Sequence, residues 1–231
     1  MAKIEREVED RFFDIITNQA NNPTSNAYKV YQKLVYMRYE EIINNTFPQF
    51  VKHISKKELD STIYEFLKEP PSTPFVWQIA NDYRKMVKKK KLFHDRKYLY
   101  DLLYIDWIEV EVLMKDYDFK KAKNLKWSDE YKLSPSSRIK ILKYDVLNEN
   151  FHNRVDNHIV IYYDFETDEV IFRHINDFLY YLLKALNKKG VTLKKALEKL
   201  CRENSLSIKD AKTILNEPLK ELIENRVLVK S

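Results

Sequence analysis

The chain is poor in the residues that build phosphate loops, disulfides and metal knuckles. It has one glycine, Gly190, in 231 residues. Loops that cradle phosphates need several glycines, so a dinucleotide fingerprint and a P-loop are both excluded. The one cysteine, Cys201, excludes an internal disulfide and any CxxC metal site. It fits a reducing compartment. The five histidines, His53, His94, His152, His158 and His174, are scattered. None stands four residues from another His or Cys, so the helical zinc spacing is missing. No run approaches the ~20 apolar residues of a membrane helix. The opening MAKIEREVEDRFF lacks the apolar core of a signal peptide. A soluble cytoplasmic protein with no membrane partner is therefore expected.

What is abundant is apolar and aromatic. Hydrophobic residues make up 44% and aromatics 13%, enough for a buried core. Tyrosine is frequent, and it suits half-buried faces because its hydroxyl can stay wet. The net charge of +6 is mild for a chain with 33% charged residues. It permits nucleic acid or an acidic peptide as partner.

The first half reads as helices. Val8, Phe12, Ile15 and Ile16 recur at helical spacing over Ile4 to Gln19, and Asn21-Asn22-Pro23 stops them. A second helix is predicted from about Asn26 to Asn45, with Tyr31, Leu34, Val35, Tyr39, Ile42 and Ile43 on its apolar face. Ser55-Lys56-Lys57-Glu58 is a capping-box pattern opening a third, through Leu67. Pro70-Pro71-Ser72 breaks the chain, and Thr73-Pro74 predicts a cap and first residue of a fourth helix that ends in Lys88 to Lys91. That lysine run suits a helix end, where the dipole favours cations. A fifth helix is predicted from Lys97 to Met114.

The second half changes character. Residues 116–137 lose their period and read as a linker between a domain at 1–115 and another at 138–231. Ile139 to Leu147 reads as a strand. Ile159 to Phe165 and Val170 to Ile175 are rich in Val, Ile, Tyr and Phe and flank an acidic turn, a hairpin pattern without the usual glycine. Helices follow: one capped by Asn176, one after Thr192, and one after Ser207 that Pro218 is expected to kink or split. Val227 to Val229 reads as a final short strand. The fold class expected is α+β, a helical bundle followed by a small three-stranded antiparallel sheet with three helices.

The order of three strands and three helices resembles the RiPP recognition element, the winged-helix-like domain that binds leader peptides of ribosomally made natural products. The resemblance implies that a leader adds as a strand to Val170, Ile171, Phe172, Arg173 and His174, with a groove wall of Leu215, Leu219 and Leu222. The first half carries Phe47-Pro48, then Pro70 to Phe75, then Asp101-Leu102-Leu103-Tyr104-Ile105-Asp106-Trp107. These resemble, in order and spacing, the helical domain of the HvfC/BufC family, which is labelled as DNA-binding. That family is similar to the partner proteins of multinuclear non-heme iron-dependent oxidative enzymes, including the methanobactin partner. The resemblance implies a non-catalytic subunit that binds a precursor leader and presents it to a TIM-barrel iron enzyme, with the iron in that enzyme and no cofactor on this chain. Nucleic acid is not an expected partner under that reading. The alternative is a DNA-binding transcriptional regulator, and a third reading is an enzyme whose site assembles from the scattered histidines.

Overall fold

The computed structural model describes Ile15, Thr17 and residues 26–69, 73–118, 124–188 and 190–231. The predicted helix Ile4 to Gln19 and its stop, apart from Ile15 and Thr17, and the Pro70-Pro71-Ser72 break lie outside them. Eight α-helices and two small antiparallel sheets make a mixed α+β protein among these residues. The chain divides into two units, one ending at Glu111 and one beginning at Val112.

The first unit is helical: α1 (Asn26–Thr46), α2 (Pro48–Lys52), α3 (Lys56–Leu67), α4 (Val76–Lys89) and α5 (Tyr98–Leu113), the last crossing the division. The capping box forms as the sequence predicts, since Ser55 accepts from the Glu58 amide while Glu58 reaches back to Ser55. Thr73 does not cap α4. Phe75 holds that position without a side-chain bond, and Thr73 Oγ1 donates to Gln78 instead. The core gathers on Tyr83 of α4, whose ring meets those of Phe47, Phe50 and Phe66 at centroid distances of 5.6, 6.4 and 5.5 Å. Its hydroxyl lies 2.6 Å from Thr62 Oγ1, so this buried polar atom keeps a partner. On α1 only the later part of the expected apolar face is buried, at Ile42 and Ile43; Tyr31 and Leu34 stay exposed.

In the second unit β2 (Ser137–Leu142), β3 (Asn157–Asp164) and β4 (Glu169–His174) form one sheet in that order. Ile161 pairs with Arg138 on one side and Phe172 on the other. β2 is shorter than expected because the chain leaves it for a 3-10 turn at Val146–Asn148, followed by Glu149 in the left-handed region. The hairpin manages without glycine because Asp168 takes φ 63° and Asp164 Oδ1 accepts from the Glu166 amide. Three helices follow, α6 (Asp177–Leu186), α7 (Leu193–Glu203) and α8 (Ile208–Glu224). Asn176, Thr192 and Ser207 cap them as the sequence implies. Pro218 lies inside α8 and does not split it.

The expected linker 116–137 needs correction. From Asn124 onward it is structural. β1 (Tyr131–Leu133) pairs with β5 (Leu228–Lys230), which gives the last strand its partner. Tyr131 is fully buried in the core with Leu182, Leu197, Leu219 and Leu228. Its hydroxyl accepts from the Lys126 amide at 2.9 Å and donates to the Asn124 carbonyl at 3.1 Å. The carbonyls of Trp127 and Asp129 take the amides of Lys194 and Leu193 at the start of α7. Charged residues around Tyr131 hide this segment from a periodicity reading, because a three-residue strand has too few positions to show alternation.

A candidate peptide-binding edge

β4 is an edge strand, paired only with β3 among the described residues. Its register fixes which backbone groups are spoken for. The Ile175 amide donates to the His158 carbonyl, and the Tyr163 amide to the Ser136 carbonyl. Antiparallel ladders alternate bonded and non-bonded pairs. Arg173 and Ile171, opposite Val160 and Tyr162, therefore turn their backbone groups toward β3. Val170, Phe172 and His174 turn theirs outward. These three residues present a row of donors and acceptors with no strand to receive them, which is the template for strand addition.

The side chains sort onto two faces. Ile171 packs against the helical core beside Val160 and Tyr162. Arg173, on that same face, pairs with Glu221 of α8. Both partners are more than two-fifths exposed, so the pair contributes little stability, but it marks where α8 lies beside the strand. Asn225, one turn further on, donates to the Tyr162 hydroxyl at 3.4 Å. Burial raises the Tyr162 phenol above its ordinary range. On the opposite face Phe172 stands across from Ile161, and His174 Nε2 lies 3.2 Å from Asp145 Oδ1.

Of the three leucines expected to line a groove, only Leu215 borders one. Leu215, Leu219 and Leu222 are at most 2% exposed and belong to the core with Ala211 and Ile223. They hold α8 in place, and Leu219 and Leu222 are closed to a ligand. The open surface lies one helical step round, where Ile214 is 69% exposed. With Phe178, Leu206 and Leu215 it lines an apolar cleft of about 280 Å³, edged by Asn176, Ser207 and Asp210. This cleft begins two residues beyond the end of β4. Ile214 leaves only a faint trace in the sequence, an apolar residue on the polar side of an amphipathic helix, and its exposure becomes plain only when the core is located.

Cys201 is buried and burial pushes its thiol up, the opposite of an activated nucleophile. Among the described residues no group of three or more His, Cys, Asp or Glu side chains could hold a metal ion. No helix among them is long and apolar enough to cross a membrane. No family model matches the chain. A comparison with curated proteins likewise returns no significant match.

Proposed function

We propose that this chain is a recognition subunit that captures an extended peptide by adding it as a fourth strand to β4. The observation that carries the reading is the outward row of backbone groups on Val170, Phe172 and His174, next to α8 and leading to the Ile214 cleft. Backbone bonds along that edge give affinity for any extended chain. The alternation of side chains, and an apolar cleft at the end of the path, give selection. The peptide class that fits, on the resemblance of the strand and helix order, is the leader of a ribosomally made precursor. The helical unit then serves to dock an iron-dependent oxidative enzyme that modifies the precursor. Tethering the leader makes the modification step effectively intramolecular, at effective concentrations on the order of millimolar. Loss of the edge should raise the apparent KM more than it lowers kcat.

The test is Val170→Pro. Proline removes an outward-facing amide without touching the β3 ladder, and edge strands tolerate it. Labelled extended peptides drawn from leader segments of ribosomal precursors should include one that binds the wild type and loses about tenfold or more in affinity to the variant, as read by fluorescence anisotropy. Unchanged affinity in a folded variant refutes strand addition at β4.

A further inference from the structure

A second stripe runs along α4 beside its buried face. Trp77, Asn81 and Arg84 occupy it at the i, i+4, i+7 spacing of one helix side, and all three are half-buried. Tyr104 and Trp107, one turn apart on α5, meet them. The Arg84 guanidinium carbon lies 4.4 Å from the Trp107 ring centre and 5.5 Å from that of Tyr104. One guanidinium nitrogen, Nη2, donates to Asn81 Oδ1 at 2.7 Å. The Nε is buried and has no acceptor among the described residues. The Trp107 indole is itself fixed, donating to the Trp77 carbonyl at 3.0 Å. Phe75, 58% exposed, extends the aromatic surface at 6.4 Å from the Trp77 ring.

Arg84 is unlike the other well-placed cations of this unit. Lys56, Lys90 and Arg96 each meet a carboxylate, whereas no carboxylate among the described residues pairs with Arg84. Burial lowers the proton affinity of its guanidinium below the ordinary arginine value. Water is thus partly removed from a charge that has unused donors, and the stacked rings hold its fork in a fixed plane. Such a group is preorganised for a carboxylate. Aromatic neighbours that exclude water strengthen the pairing.

We propose that Phe75, Trp77, Arg84, Tyr104 and Trp107 form a docking surface for an acidic segment of a partner protein, one that sets an Asp or Glu carboxylate on Arg84 and an apolar side chain on Phe75 and Trp77. Charge complementarity selects this occupant. The inference rests on the partner-subunit reading for the partner's role, but it uses no residue of β4 and its failure is separately visible.

The experiment selects a display library of short random peptides on the full-length chain. The strongest peptide is then titrated into wild type, Arg84→Gln, Arg84→Lys and Val170→Pro, read by tryptophan fluorescence. The expected consensus is an acidic residue beside an aliphatic or aromatic one. Arg84→Gln should weaken binding about tenfold or more, with Arg84→Lys intermediate because it cannot offer the planar fork. Val170→Pro should bind this peptide normally. If Arg84→Gln does not fold, the Glu→Gln form of the peptide carries the same test on the wild-type chain. No enriched peptide, a consensus without an acid, or binding indifferent to both changes overturns the proposal. Arg84-dependent binding of single-stranded oligonucleotide in preference to acidic peptide does so too.

Discussion

Asp106 sits inside the helical unit, 3% exposed, and caps a neighbouring helix rather than its own. Its Oδ2 accepts the amides of Gln49 and Phe50, both at 3.0 Å, in the first turn of α2. Burial nonetheless pushes its carboxyl from 3.8 up to about 7, with the nearby Glu109 adding to the rise and the two amides opposing it. The folded protein therefore holds a proton that the unfolded chain releases. That stability is fully present below about pH 4 and fades as pH rises to about 7, with a full span of roughly 4 kcal/mol. Asp106→Asn keeps an acceptor for the amides and cannot ionise. Relative to wild type, the variant should gain stability by a few kcal/mol between pH 4.5 and pH 8. Glu109, also raised by burial, titrates in both proteins, so only its coupling to Asp106 enters the difference. Urea unfolding in a Trp127→Phe background reads the helical unit alone, since Trp77 and Trp107 both lie in it. Asp106→Ala, which strands both amides, should cost about 2–4 kcal/mol at pH 5. A difference between wild type and Asp106→Asn that does not move with pH refutes the assignment of this titration to Asp106.

Thr62→Val should destabilise the same unit by about 1–3 kcal/mol, because it leaves the hydroxyl of fully buried Tyr83 without its partner; denaturant midpoints measure it, and Thr62→Val combined with Tyr83→Phe should recover part of the loss. Gly190→Ala should cost about 1 kcal/mol. A Cβ there meets no atom within 4 Å, so the whole cost comes from its φ of +75°, and Gly190→Asn, which tolerates that region better, should cost less on the same thermal melt.

What the sequence made legible followed repeated local rules. Ser55, Asn176, Thr192 and Ser207 each announced a helix that begins one residue later, because capping depends on three or four neighbours and on nothing distant. The hairpin strands were legible because β-branched and aromatic runs have few other uses. Tyr131 was not, since its burial depends on β5 nearly a hundred residues away. Nor were the roles of Leu215, Leu219 and Leu222. An apolar stripe says that a helix face is buried, and cannot say whether a core or a ligand buries it. The same limit runs the other way at Ile214 and Arg84. Each is an ordinary residue in the sequence, and each stands out only when its neighbours are known: Ile214 because the core lies on the other side of α8, Arg84 because two rings come from α5 and no carboxylate does. The candidate positions for binding are thus the ones that break a pattern the fold has already satisfied. Under the two proposals, Val170 and Arg84 are the positions at which a single substitution should separate recognition from folding: the first removes an amide facing away from the sheet, the second a charge that no described carboxylate neutralises.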